Sequence, residues 1–301
     1  MKKLLLHLFV VLNFFCTAQD QKKTEVHGHR GFRGLYPENT LTAFKAAAKA
    51  GADYIELDII ISKDSQVVVS HDPWFNSKIC SQADNKKVKK SKQRNLHAMT
   101  YAEIKKYDCG KRGNKKFPEQ IKIAAYKPLL IEVIETMERY TKENNLPPIK
   151  YNIEIKSNSM GDGKYHFDPV ITVALVYDII EKFNMNDRII IQSFDVRSLL
   201  AIHTLQPQLK TGLLVANLRS VKHNIRKLGF TPSYYNPAAP ICKTKTIEQS
   251  HKMGCKVVVW TVNSEKDMKH FIAIKVDGII NSPARPKILL AIKYLIDNCS
   301  N

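Results

Sequence analysis

Two carboxylates stand one residue apart inside an otherwise apolar run, Tyr54-Ile55-Glu56-Leu57-Asp58-Ile59-Ile60-Ile61. The run is rich in β-branched residues and almost uninterrupted, the pattern of a buried strand. Side chains alternate along a strand, so Glu56 and Asp58 share one face while Ile55, Leu57, Ile59 and Ile61 share the other. Two like charges on a buried face are costly unless a cation compensates them. Pairing with a neighbouring Arg or Lys would be enough structurally, but the pattern returns in Tyr151-Asn152-Ile153-Glu154-Ile155-Lys156. There Asn152, Glu154 and Lys156 lie on the polar face. The three carboxylates Glu56, Asp58 and Glu154 make an oxygen-only ligand set, better suited to Mg²⁺ or Ca²⁺ than to zinc.

Other reactive groups flank these strands in His27-Gly28-His29-Arg30-Gly31, Pro37-Glu38-Asn39-Thr40 and His71-Asp72. His29 and His71 have reference pKa values near neutrality, as acid–base catalysis requires. Arg30 and Lys156 bring positive charge for an anionic substrate, and Arg grips phosphate through two parallel hydrogen bonds. Each histidine alone is an ordinary polar residue. Together with the carboxylates and cations, they describe a site for a phosphate ester.

At these positions the chain resembles the glycerophosphodiester phosphodiesterase family. His29-Arg30-Gly31, Pro37-Glu38-Asn39-Thr40, Ala43-Phe44, Gly51-Ala52-Asp53, Glu56-x-Asp58 and His71-Asp72 follow that family's opening motif in order. Later matches are Asn152 to Lys156, Gln192-Ser193-Phe194-Asp195, Trp260-Thr261-Val262-Asn263 and Asp277-Gly278-Ile279-Ile280. The resemblance covers roughly residues 25–290. Ser65 stands where the family usually has Gly, and Lys127-Pro128-Leu129 replaces a commoner Ile-Pro-Thr; neither departure touches the reactive set. The resemblance implies an α/β fold, a (β/α)₈ TIM barrel. It further implies metal-dependent hydrolysis of glycerophosphodiesters to glycerol 3-phosphate and an alcohol. Glu56, Asp58 and Glu154 would hold one divalent cation, Mg²⁺ or Ca²⁺, and His29 and His71 would share acid–base duty. Arg30 and Lys156 would bind the phosphate, with Phe194 and Trp260 as pocket walls.

Strand-like and helix-like segments alternate along the chain, which predicts a parallel α/β architecture. Strands are expected near 25–30, 53–61, 150–156, 188–192, 210–215, 230–235, 256–261 and 277–282. Helices are expected near 40–50, 128–145, 168–184, 195–205, 219–228, 244–253, 265–274 and 284–296. Eight of each suits a closed barrel over residues 25–298, with a doubly wound open sheet as the competitor. A short extra strand at Gln66–Ser70 would carry His71 back to the site. Residues 73–126 interrupt the alternation between the second strand and second helix, as an insertion expected to cap the pocket. Within it, Thr100-Tyr101-Ala102-Glu103-Ile104 reads as a short helix.

A length of 301 residues with 44% hydrophobic content suits one large domain. Lys2-Lys3, the apolar run Leu4 to Phe15 and Cys16-Thr17-Ala18 read as a signal peptide over 1–18, implying a periplasmic or extracellular protein. A lipoprotein anchored at Cys16 is the weaker alternative, because Asn13-Phe14-Phe15 lacks small residues before the Cys. A cut after Ala18 leaves Cys80, Cys109, Cys242, Cys255 and Cys299, an odd count with no zinc spacing. Export permits a bridge, and Cys80 and Cys109, both in the insertion, are the pair expected to form it.

The net charge is +19, and residues 73–126 hold 14 Lys/Arg against four Asp/Glu. The densest part, Lys86-Lys87-Val88-Lys89-Lys90, would give weak contact with an anionic membrane surface, or simply form a solvated loop. Few aromatics interleave with these cations, so nucleic acid is not an expected partner. The expected partner is a small phosphodiester. A lipid-directed phosphodiesterase of the same fold, lysophospholipase D or sphingomyelinase D-like, is the nearest rival, although no apolar loop for membrane entry is evident. A histidine-rich bimetal hydrolase would need further His at later strand ends, and the segments near 188–192, 210–215 and 256–261 offer none. A non-catalytic surface-binding module would have no physical reason to keep so many polar groups in strands. No nucleophile elbow, Walker A loop or dinucleotide fingerprint is present.

Overall fold

The computed structural model describes residues 24–84, 86–89 and 94–282. All eight residues of Tyr54–Ile61, strand β2 counting from β1 at Glu25–His29, are buried. A strand buried on both faces needs cover on both. Outward, Ile55, Leu57, Ile59 and Ile61 pack with Ile153 and Ile155 of a neighbouring strand and with Val133, Ile134 and Met137 of a helix. Inward, Tyr54 joins Ile190, Tyr234, Val258 and Ile280 in the barrel interior. His27 stacks on Tyr54 there, with ring centroids 4.3 Å apart.

The remaining strands are β3 (Val67–Val69), β4 (Lys150–Ile155), β5 (Ile189–Ser193), β6 (Lys210–Val215), β7 (Tyr234–Pro237), β8 (Lys256–Trp260) and β9 (Gly278–Asn281). All but β3 run parallel, and β1 pairs with both β2 and β9, so the ring closes as an eight-stranded (β/α)₈ barrel. The open-sheet alternative is thereby excluded. β3 runs antiparallel against the end of β2 and returns the chain to the mouth.

Helices follow the strands as α1 (Leu41–Lys49), α2 (Tyr101–Ile104), α3 (Leu130–Glu143), α4 (Pro169–Lys182), α5 (Val196–Leu205), α6 (Val221–Leu228), α7 (Thr244–Lys252) and α8 (Glu265–Ala273). Thr40, Asp168, Asp195, Ser220 and Ser264 cap five of them by accepting a backbone N–H of the first turn. The expected helix 284–296, Cys299 and the segment 1–18 lie outside the described residues. Among the described residues no helix is long and apolar enough to cross a membrane.

One expected boundary changes. The strand expected at 230–235 is Tyr234–Pro237: Gly229 ends α6 with φ 93°, and Thr231-Pro232-Ser233 bridges to the sheet before pairing begins. The insertion carries a small core of its own. Phe75, Ile79, Cys80, Val88, Leu96, Ile104 and Cys109 form an apolar cluster under it with Ile60 and Val68, and Cys80 is bridged to Cys109. Ile121 N–H donates to Leu35 O at 2.8 Å, and Gln120 donates to the carbonyls of Arg33 and Tyr36. The insertion therefore braces the β1–α1 loop from outside.

Candidate active site

The site is set first by a sharp turn at the end of β1. Arg30 and Gly31 have φ of 53° and 76°, left-handed backbone that favours glycine. A Cβ on Gly31 would also come within 2.7 Å of the Ala43 backbone, so α1 can approach only because this residue has none. The turn aims the Arg30 N–H at Glu56 Oε2, 2.9 Å away. It also lets Arg30 Nη1 reach Glu38 at 2.9 Å and Nε approach Asp58 Oδ2 at 3.3 Å.

β2 and β4 are in register with Asp58 opposite Glu154, which brings the three carboxylates together. One ligand atom from each of Glu56, Asp58 and Glu154 lies within 4.8 Å of the others, close enough to share one cation. Lys156 bridges two of them, at 2.6 Å from Glu154 Oε1 and 3.0 Å from Asp58 Oδ1. Asn39 Nδ2 donates to Asp58 Oδ2 at 2.9 Å, and Gln192 Nε2 donates to Glu56 Oε1 at 3.2 Å.

These environments separate the carboxyls. Burial raises Glu56 well above its ordinary value, and the charges of Asp58 and Glu154 push the same way. Burial would raise Asp58 too, but Lys156 and Arg30 hold it well below the usual range. Glu154 is raised because burial outweighs the attraction of Lys156. Glu56 is thus the least compensated charge of the three.

The two imidazoles differ as well. His29 Nδ1 faces the hydroxyls of Ser282 at 3.0 Å and Thr261 at 3.4 Å, while Nε2 is 3.9 Å from Glu56 Oε2. Burial, with Arg33 and Arg30 adding repulsion, lowers its pKa well below the ordinary value and keeps it neutral. His71 instead presents Nδ1 to the Asp72 carboxylate at 2.8 Å, leaving Nε2 for the cavity.

Of the nine side chains singled out in the sequence, all but Asp58 line one cavity of about 220 Å³. Asp58 is wholly buried behind Arg30 and Lys156. Phe194 and Trp260 meet edge to face at 5.4 Å on one wall, and Trp260 Nε1–H is anchored on Asn236 O at 2.7 Å. Among the described residues none from 73–126 lines this cavity. Sequence reasoning gave no role to Arg33 and Gln192, which line the cavity, or to Asp72 and Lys127. Arg33 Nε donates to Ser282 Oγ at 2.8 Å, and the half-buried Lys127 amine donates to Ser70 Oγ at 2.9 Å. Glu38, Asn39, Asp72 and Gln192 were visible as motif positions, but their partners were not.

Comparison with known proteins agrees with this geometry. The model of the glycerophosphoryl diester phosphodiesterase family matches residues 29–282. A glycerophosphodiester phosphodiesterase of Caldanaerobacter subterraneus is 33% identical over 276 residues, 90% of this chain and 99% of that one. A crystal structure from Silicibacter pomeroyi has a TM-score of 0.81 at 24% identity, covering 93% of this chain and 95% of the other. A phosphodiesterase from Oleispira antarctica, solved in complex with the product sn-glycerol-3-phosphate, has a TM-score of 0.71 at 21% identity, covering 90% and 97%. This chain belongs to the glycerophosphoryl diester phosphodiesterase family.

Proposed function

We propose that this family member hydrolyses small glycerophosphodiesters to glycerol 3-phosphate and an alcohol, with Glu56, Asp58 and Glu154 holding Mg²⁺ or Ca²⁺. The observation that carries the reading is the convergence of two differently partnered imidazoles and three carboxylates on one polar cavity. The product bound by the Oleispira phosphodiesterase supports the same product class here.

The residues fit a hard cation. The donor set is all oxygen, and Glu56 carries a buried charge with no Lys or Arg side chain in an ion pair with it among the described residues. A bound divalent cation would polarise a phosphoryl oxygen and offset its charge. Arg30, Lys156 and Arg33 line the cavity as donors for the non-bridging oxygens. Neutral His29 takes the proton of the attacking hydroxyl, which is either water or the substrate's own 2-hydroxyl; in the second case a cyclic phosphate forms and a water then opens it to glycerol 3-phosphate. As the new phosphorus–oxygen bond forms and the bond to the alcohol breaks, His71 gives its proton to the leaving alkoxide. Asp72 holds the His71 ring by its Nδ1 in that role. Phe194 and Trp260 provide the apolar wall for the glycerol carbons.

We propose export as well, to the periplasm or the cell exterior; the Cys80–Cys109 bridge supports an oxidising compartment. The substrate class is tested by product analysis on a panel of glycerophosphocholine, glycerophosphoethanolamine, a lysophospholipid and sphingomyelin. Release of glycerol 3-phosphate from the two soluble diesters, well above turnover of the lipids, is the expected result. Cleavage restricted to the lipids would replace this reading with the lipid-directed one.

A further inference from the structure

A second cavity opens in the loops that follow β6 and β7. At about 240 Å³ it matches the catalytic one in size. Arg219, Lys243 and Lys245 line it, with the hydroxyls of Ser220 and Thr246. All three cations are exposed, and among the described residues none forms an ion pair. The surrounding segment 216–249 holds six Lys/Arg against one Asp/Glu, so its local field is positive. Cations and hydroxyls converging on a hollow suit a phosphate group.

The lip of the same cavity carries an apolar tip. Leu218 lines it and is 90% exposed, as is Met160 in the β4–α4 loop, with Phe194 46% exposed in the β5–α5 loop between them. A single exposed apolar residue needs no explanation. Three on consecutive loops at the catalytic end of the barrel, beside unpaired cations, form the combination by which proteins lie on membranes. The apolar side chains enter the acyl region while Lys and Arg meet the headgroups.

We propose that the β6–α6 and β7–α7 loops dock this protein on an anionic phospholipid surface. A headgroup phosphate sits among Arg219, Lys243 and Lys245, and Leu218 inserts beside it. A bilayer is the occupant rather than a soluble polyanion, because an exposed leucine adds nothing to binding of a free anion. The basic insertion is not the dock. It leaves β2, which lies four strands around the ring from β7, and Ile121 is the one large apolar side chain it exposes among the described residues.

The test is co-sedimentation of the full chain with phosphatidylcholine vesicles, with and without about 30% phosphatidylglycerol. The wild type is expected to bind the anionic vesicles and to be weakened by about 0.5 M salt. The triple variant Arg219→Gln, Lys243→Gln, Lys245→Gln should bind on the order of 100-fold more weakly, each cation contributing about fivefold. Leu218→Asp should lose at least about tenfold. Lys86→Gln with Lys87→Gln and Lys89→Gln should change binding by less than about threefold, the effect of distant charges being screened. Turnover of soluble glycerophosphocholine should stay unchanged in all of these, confirming that each variant folds. Failure of the wild type to bind, or wild-type binding by the triple variant, would overturn the proposal. Unchanged binding by Leu218→Asp would show adsorption without insertion and would overturn it equally, as would a loss confined to the insertion lysines.

Discussion

Replacing Asp72 by Asn separates the roles of the two histidines. His71 Nδ1 lies 2.8 Å from Asp72 Oδ1, and Asn76 Nδ2 steadies the other oxygen at 3.1 Å. Burial alone would raise the Asp72 carboxyl, but the hydrogen bond and charge of His71, with Lys127 nearby, hold it below its ordinary value. It is therefore ionised at neutral pH. An amide keeps the shape and removes the charge. A hydrogen bond between charged groups contributes about 1.5–3 kcal/mol, which corresponds to roughly 10- to 150-fold in rate. The His71 side chain is 34% exposed, and solvent screening places the effect at the lower end, about tenfold. The assay is kcat on a leaving-group series, from glycerophosphocholine to an activated p-nitrophenyl diester. A p-nitrophenolate leaves without a proton, so the variant should lose less than about threefold on that substrate. Equal losses on both substrates, or none on glycerophosphocholine, would refute the assignment of His71 as the acid.

Two further outcomes concern stability. The imidazole of His27, wholly buried against Tyr54, is lowered to about 3 from 6.5 by burial, with Lys150 and Lys256 adding repulsion. The unfolded imidazole takes up a proton below about 6.5 and the folded one only near 3, so the unfolded state binds more protons in between. Stability should fall by about 1 kcal/mol per pH unit across that window from this group. Urea midpoints of the wild type and His27→Gln between pH 7 and 4 check this, and parallel slopes would contradict it. Cys80→Ser opens a bridge with a sequence separation of 29, so denaturation should show a loss of about 3 kcal/mol. Its kcat should be unchanged, because among the described residues none of the insertion lines the cavity; an unmoved midpoint would argue against the bridge.

Much of this site could be read from the chain because strand alternation is a local rule. Glu56 and Asp58 had to share a face, as did Glu154 and Lys156, and short spacings placed His29 and His71 near the same strand ends. What the rule could not supply was pairing across the closed ring. Gln192 meets Glu56 across 136 positions, and Ser282 meets His29 across 253. The first pair needs β2 and β5 to flank β4, and the second needs β1 to close on β9. The same limit explains Arg30 and Lys156, expected simply as phosphate ligands. Each is also engaged with Asp58, which makes that carboxylate a buried strut as much as a ligand. The insertion was opaque for another reason. Its apolar residues are sparse along the chain, and they become a core only when Cys80 meets Cys109 and Ile60 and Val68 close it from below.

The carboxylate triad is the centre of the proposed chemistry, and metal depletion followed by reconstitution tests its role most directly. Purified protein stripped with excess chelator would be assayed for glycerol 3-phosphate release from glycerophosphoethanolamine, then titrated calorimetrically with Mg²⁺ and Ca²⁺. The stripped enzyme should be inactive and regain full turnover with one of the two ions, while Glu154→Gln should neither bind the ion as tightly nor recover. Wild-type turnover by Glu154→Gln in excess chelator would contradict it.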